Sequence, residues 1–263
     1  MKGVKMKTVL IYFSIKYQGD FRKIMKALET NEVIEKDELN NLKLLLENNK
    51  IKAITILDRE YPKELEYLKQ PPFVIFYKGN IDILTSDSPK ITLTGDEYDE
   101  NVKDFFNNSL PEVVKRHTLV VNGYHGVEER VIKYFKLNNA PIILVSANGI
   151  ENPWLLDNQD NYENLLVISE YPPQDKISTK RLIERNRIVA GLASCLIVYS
   201  INKKSGLHNL INYFLNLGKE IYCFSKGENA HEHFGNQTLI EQGANWITAI
   251  KDTKFKQGDL ANE

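Results

Sequence analysis

The sequence predicts an α/β protein: a mostly parallel sheet with helices on both faces, preceded by a small helical unit at the amino terminus. Three observations carry this expectation. From Lys90 onward, short apolar runs recur, and most end in glycine, asparagine or serine. Amphipathic segments alternate with those runs. The first fifty residues instead show helical spacing. A run that is apolar at successive positions fits a strand buried on both faces, and alternation with helices is the pattern of a parallel sheet.

Residues 8 to about 49 read as helical. Phe21, Ile24, Met25 and Leu28 recur at helical spacing after a Gly19-Asp20 break, and a further helix from Lys36 to Asn49 carries Leu39, Leu42, Leu44, Leu45 and Leu46. Asp58-Arg59-Glu60-Tyr61-Pro62 then joins two early strands, Ile51 to Leu57 and Phe73 to Tyr77, the second set off by Pro71-Pro72. Ile91-Thr92-Leu93-Thr94 is a strand ending at Gly95, followed by a helix from about Asp99 to Asn108. Thr118 to Val121 ends at Asn122-Gly123, and Glu128 to Leu137 is helical. Pro141 to Val145 ends in Ser146-Ala147-Asn148-Gly149, and Leu165 to Ile168 ends in Ser169-Glu170. Leu196 to Tyr199 ends in Ser200 and leads through Ser205-Gly206 into a helix with Leu207, Leu210, Ile211, Phe214 and Leu215 on one face and Gly218 as its stop. Glu220 to Phe224 is a final core strand. The expected division is 1–50 for the helical unit, 51–250 for the sheet domain and 251–263 for a polar, frayed tail.

Hydrophobic residues at 42% and charged residues at 26% fit a soluble globular protein. The formal charge of −1 argues against general adhesion to nucleic acid, so any such binding needs a local basic surface. The apolar stretch after Lys2, Lys5 and Lys7 is short and has no small-residue cleavage site, and no segment reaches the ~18 apolar residues of a membrane helix. Cys195 and Cys223 sit in apolar strand contexts as buried thiols, which fits a reducing cytoplasm. His231 and His233 flank Glu232 without a zinc spacing and read as loop residues.

One cluster stands out against this neutral background. Lys180, Arg181, Arg185 and Arg187 fall within eight residues of a chain that has seven arginines in all. The forked guanidinium suits two-point contact with phosphate oxygens. Two readings stand, a solvated basic patch or a polyanion site. In a parallel sheet, ligands bind outside the carboxyl ends of the strands. Those ends carry Asn122-Gly123, Ser169-Glu170 and Ser200 to Gly206. Two glycines in Asn122-Gly123-Tyr124-His125-Gly126 let backbone amides approach a ligand, and Ser205-Gly206, beside Lys203 and Lys204, opens a helix whose amides could hold phosphate or simply be capped by serine. Gly95-Asp96-Glu97 lacks a full glycine fingerprint, and its acids repel phosphate. Glu170 and Glu184 fit partners for the arginines better than an acid/base pair, since nothing supplies a nucleophile.

Several stretches together resemble one family. Asp58-Arg59-Glu60-Tyr61-Pro62-Lys63-Glu64-Leu65 with Gln70-Pro71-Pro72-Phe73 is similar to the leading part of the DNA-processing protein A (DprA/Smf) family. Ile168-Ser169-Glu170-Tyr171-Pro172-Pro173 followed by Glu184-Arg185-Asn186-Arg187-Ile188-Val189-Ala190-Gly191-Leu192 matches its most diagnostic stretch. Lys204-Ser205-Gly206 and Phe234-Gly235-Asn236-Gln237 through Gly243-Ala244 complete the series in order. The resemblance runs from about Ile51 to Trp246. It implies an extended Rossmann-like fold that binds single-stranded DNA in a basic pocket, protects incoming DNA, loads the RecA recombinase in natural transformation, acts as a homodimer, needs no cofactor and is not an enzyme. The chain departs from the family pattern at three places and carries no winged-helix pattern after Trp246. Gly95-Asp96-Glu97 stands where the family has Gly-Ser-Arg, the Asn122 to Glu128 loop is about one residue shorter, and Leu182 replaces an aromatic residue.

The residues expected to contact DNA or phosphate are Arg185 and Arg187, widened by Lys180, Arg181 and Lys204, with Asn122, Gly123, Ser169, Ser205 and Gly206 at the strand ends. The competing expectation is an enzyme or sensor for a nucleoside monophosphate on a related fold, and a third is a family member that keeps protein contacts alone.

Overall fold

A computed structural model describes residues 6–48, 51–156, 161–173, 176–225 and 234–253. His231, Glu232, His233 and the tail beyond residue 253 lie outside these. Three helices come first, α1 (Met6–Lys16), α2 (Phe21–Glu29) and α3 (Lys36–Glu47), followed by β1 (Ala53–Thr55), α4 (Lys63–Glu66), β2 (Val74–Gly79) and α5 (Asp82–Thr85). Strands and helices then alternate through β3 (Lys90–Thr94), α6 (Glu100–Val113), β4 (Thr118–Val121), α7 (Val127–Leu137) and β5 (Ile142–Val145). Next come β6 (Leu165–Ser169), α8 (Thr179–Glu184), α9 (Asn186–Leu192) and β7 (Cys195–Val198). The order closes with α10 (Leu207–Asn216), β8 (Glu220–Phe224), α11 (Phe234–Glu241), β9 (Asn245–Ile247) and a 3-10 turn at Ile250–Asp252.

The contacts within the chain group it into two compact units whose borders differ from the expected break at residue 50. The first unit combines the chain up to Thr85 with Leu144–Arg185, and the second combines Ser86–Ile143 with the chain from Asn186. The leading helices thus belong with early strands, since α1 packs on β1 and β2.

In the first unit, β2 pairs antiparallel with both β1 and β6, in registers running from Ala53↔Phe76 to Thr55↔Val74 and from Phe76↔Ser169 to Gly79↔Leu166. The strand expected from Ile51 to Leu57 is cut to three residues because Asp58 turns the chain. Its carboxylate accepts from the Thr55 amide at 2.8 Å and the Thr55 hydroxyl at 2.6 Å. Tyr61, buried, then donates its hydroxyl to the Pro72 carbonyl at 2.8 Å and closes the connection. Helix α2 begins at Asp20, whose side chain accepts from the Lys23 amide, a standard cap of the open first turn.

In the second unit the strand order is β4-β3-β7-β8-β9, all parallel. From β3 the chain goes to β4 on one side, while β7 lies on the other, so the carboxyl ends of β3 and β7 form a topological switch point. Its core includes a stack of aromatic rings, Phe105 on Phe224 at 4.6 Å and Phe224 on Tyr199 at 4.9 Å, with Phe106 edge-on to Tyr199. Cys195 and Cys223 are free, buried thiols in β7 and β8, and burial pushes the Cys195 thiol up to about 12, which keeps it protonated. No described helix is long and apolar enough to cross a membrane.

Candidate nucleic-acid interface

The basic segment straddles the break between α8 and α9, and its four cations meet different fates. Ser178 caps α8 by accepting from the Arg181 amide. Lys180 is exposed and lies 3.6 Å from Glu184, one turn further along. Arg181 is half-buried and fixed from three directions: one terminal nitrogen donates to the Lys176 carbonyl at 2.7 Å, the other to Gln18 Oε1 at 3.2 Å, and the guanidinium covers the Tyr171 ring at 4.5 Å.

Arg185 turns inward. Its residue is 2% exposed, its Nη1 donates to the Val145 carbonyl at 3.1 Å, and its guanidinium lies 5.7 Å from the Trp154 ring. Through that bond Arg185 braces the end of β5 inside the first unit. Arg187, on α9 in the second unit, is half-buried. Ser169 is buried as well. It is 1% exposed, donates to the Ser146 carbonyl at 2.9 Å and accepts from the Tyr171 amide at 3.1 Å, so it ties the ends of β5 and β6 together.

In the second unit, the amide-rich loops expected to hold phosphate are already filled by carboxylates of the chain itself. Glu128, wholly buried on α7, accepts from the Gly123 amide at 2.9 Å and the Tyr124 amide at 3.0 Å, and from the Thr94 hydroxyl at 2.8 Å. Gly123 therefore has its amide committed to Glu128. Asn122 is 1% exposed and donates to Asn186 Oδ1 at 3.0 Å, a contact that pins the end of β4 to the start of α9.

At the switch point the same arrangement recurs. The Asp96 carboxylate accepts from the Asn202 amide and from the Ser205 hydroxyl, both at 2.7 Å. Ser205 also accepts from the Leu207 amide at 3.0 Å, a local turn at the entry to α10, whose cap position is Gly206. Glu97 takes the Asn202 side-chain amide at 2.8 Å, and Ser200 bonds the Glu97 backbone through its hydroxyl in both directions. The Asp96 carboxylate thus occupies donors of the 200–206 loop that leads into α10. Gly206 faces open space, and Lys204 is exposed beside it.

Asn236 was noted in sequence only as part of a motif; the fold shows its purpose. It is 2% exposed, accepts from the Ile201 amide at 2.8 Å, and donates to the carbonyls of Tyr199 and Phe224 at 3.0 and 3.1 Å. The neighbouring position has to be glycine, because a Cβ on Gly235 would lie 2.0 Å from the Ile201 carbonyl oxygen. This bracket sets the path of the 200–206 loop. Among the described residues no group of acids, histidines and cysteines is placed to hold a metal ion.

The alternating strands and helices, with a parallel sheet in the second unit, polar loops at its strand ends and an arginine-rich segment between α8 and α9, define a Rossmann-like α/β protein. Residues 52–256 match the DNA recombination-mediator protein A family, and the chain belongs to that family. It is 25% identical to Protein Smf of Synechocystis over 223 residues, spanning 81% of this chain and 56% of that protein. To DNA processing protein DprA of Streptococcus pneumoniae it is 25% identical over 222 residues, 82% of this chain and 77% of the relative. The solved structure of the S. pneumoniae protein superposes with a TM-score of 0.70 at 22% identity, over 89% of this chain and 82% of that one. DNA processing protein A from Helicobacter pylori, whose structure concerns its single-stranded DNA binding mode, superposes with a TM-score of 0.61 at 22% identity, over 76% of this chain and 93% of that one. Both likenesses are likenesses of fold.

Proposed function

We propose that this protein binds single-stranded DNA without regard to sequence, protects incoming strands and passes them to a RecA-type recombinase in natural transformation. On this reading it works in the cytoplasm as a homodimer and performs no chemistry of its own. The observation that carries the reading is the exposed and half-buried cations of 180–187 in a member of a DNA-processing family. Family membership and the binding mode studied for the H. pylori relative support it. With Arg185 committed to the Val145 carbonyl, the phosphate contacts pass to Lys180, Arg181, Arg187 and Lys204. These are local charges on a near-neutral chain, so binding depends on counterion release and weakens steeply with salt.

The test is fluorescence anisotropy with a labelled single-stranded oligonucleotide across a salt series, comparing wild type with Lys180→Ala/Arg181→Ala. The expected log–log slope is about −0.7 for each phosphate neutralised, and the double variant loses roughly one to two phosphate contacts from that slope. A slope near zero, or a double variant that binds like wild type, would sink the assignment.

A further inference from the structure

A cleft of about 900 Å³ opens in the first unit, outside every residue pair assigned so far except Arg181. Its walls come from three segments: the α1–α2 turn at Gln18, the loop after β5 with Asn148, Glu151 and Asn152, and the run into α8 with Lys176 to Ser178 and Arg181. It opens broadly to solvent and is lined mainly by polar side chains.

The walls are held in place by contacts that do not involve any ligand. Asn148 accepts from the Ser146 hydroxyl at 2.7 Å and donates to the Asn152 carbonyl at 2.6 Å, which locks the loop. Gly149 has φ +80, and a Cβ there would lie 2.3 Å from the Pro173 carbonyl oxygen, so this loop and the 172–173 segment are in direct contact. Gln18 sits in the left-handed region at φ 53, a conformation that costs a non-glycine residue energy and gathers at ligand sites. The Arg181 guanidinium spans the cleft's two sides by reaching both Gln18 and the Lys176 carbonyl.

The chemistry of the lining is specific. Lys176 and Arg181 are cations suited to a phosphate. Glu151 is an acceptor for an exocyclic amino group, and the Asn152 carboxamide offers the paired donor and acceptor that matches a base edge. Ile177, 40% exposed, supplies an apolar surface for the flat face of a ring. Among the described residues, neither the Gln18 side-chain nitrogen nor the Asn152 carboxamide is engaged in a hydrogen bond, and Asn152 and Lys176 are exposed.

We infer that this cleft takes one nucleotide unit, with its base against Asn152, Glu151 and Ile177 and its phosphate against Lys176 and Arg181. The unit comes either from a residue of a bound strand or from a free nucleoside monophosphate; in the first case the inference rests on the single-stranded DNA reading. The experiment titrates wild type, Asn152→Ala, Lys176→Ala and, as a control, Lys115→Ala, an exposed lysine outside the cleft's lining and outside the phosphate-contacting set. The probes are a fluorescent single-stranded oligonucleotide and, by calorimetry, the four deoxynucleoside monophosphates. Loss of Asn152 or Lys176 is expected to weaken the cleft's ligand about 5- to 10-fold, as for one hydrogen bond to a charged or polar partner.

If monophosphates bind and both cleft variants weaken them, the source is the free nucleotide. If only the oligonucleotide binds and both cleft variants weaken it, with a shallower salt slope for Lys176→Ala and an unchanged slope for Asn152→Ala, the source is the strand. Oligonucleotide binding that ignores both cleft variants, with no monophosphate bound, overturns the cleft and leaves the DNA reading intact. Monophosphate binding that depends on Asn152, with no oligonucleotide bound, overturns the DNA reading and keeps the cleft. No binding of either probe overturns both.

Discussion

The two units meet the problem of anions in opposite ways. In the first, cations stand at and near the surface around a cleft, while the deepest cation, Arg185, braces the end of β5. In the second, the loops have the glycines, serines and amides of a phosphate site, yet a carboxylate of the chain sits in each: Glu128 in the Gly123 loop and Asp96 in the 200–206 loop. A loop's amides do not by themselves make an anion site. What decides is whether the fold has already supplied the anion.

The largest effect that tests this contrast concerns Arg185 against Arg181, four residues apart on neighbouring turns. Truncating a long buried side chain leaves a void and removes a donor from the Val145 carbonyl, so Arg185→Ala is expected to destabilise the fold by about 2–5 kcal/mol. Arg181 is half-buried, donates to Gln18 and to the Lys176 carbonyl and lies over the Tyr171 ring, and Arg181→Ala should cost no more than about 1–2 kcal/mol. Urea unfolding of the two variants reads the difference directly. Equal losses would mean that Arg185 is as dispensable to the fold as a surface residue, and its removal from the phosphate-contacting set would be wrong.

A smaller effect probes the second unit. Asp96→Asn removes the charge that occupies the Asn202 amide and Ser205 hydroxyl, so a strand phosphate can take its place. Single-stranded DNA affinity is expected to rise on the order of 10-fold, with a salt slope steeper by about 0.7. Glu97→Gln removes the same charge one residue away but leaves Asp96 in position; the Glu97 carboxylate accepts from the Asn202 side chain, and its backbone bonds the Ser200 hydroxyl. It should strengthen binding slightly and leave the slope alone. Equal gains from both substitutions would show that net charge matters here and occupancy does not.

These contrasts also mark where sequence reading stops. The sheet was legible because Ile91 to Thr94, Ile142 to Val145 and Leu196 to Val198 are almost unbroken apolar runs, a local signal that buried parallel strands cannot hide. β9 and α11 escaped it, since Asn245–Ile247 is three residues with two of them exposed and the helix before it has little one-sided apolar character. The cluster at 180–187 was visible as composition, but which arginine turns inward depends on the Val145 carbonyl, 40 residues away. Asp96 was read as a source of repulsion, which is half of its role. Its bonds to Asn202 and Ser205 span 106 and 109 residues, and no spacing rule connects them. The cleft is further still from local pattern, because Gln18 and Arg181 are 163 residues apart.

The smallest effect separates the units by pH. In the second unit, burial holds His117 below its ordinary 6.5, and the nearby Arg116 charge adds to this against the opposing pull of the Val113 carbonyl. The folded state thus resists a proton that the unfolded chain accepts. Its contribution to stability is complete above about pH 6.5 and is lost as pH falls from there through the lower folded value. In the first unit the shifted acids are carboxylates. Hydrogen bonds from Lys16 and Tyr17 lower Glu32, and Asp58 is lowered because bonds from Lys7 and Thr55 together outweigh the upward push of burial. Their contribution is complete above the ordinary carboxylate values and disappears only in stronger acid, as does that of Glu129, which His125 lowers in the second unit. Between pH 7 and 5, therefore, His117 should dominate the slope of stability with pH. Replacing it by glutamine should flatten that slope by up to about 1 kcal/mol per pH unit while leaving the acid limb below pH 4 unchanged. Chemical unfolding of wild type and His117→Gln at several pH values measures this, and a slope that survives the substitution would assign the near-neutral sensitivity to some other group.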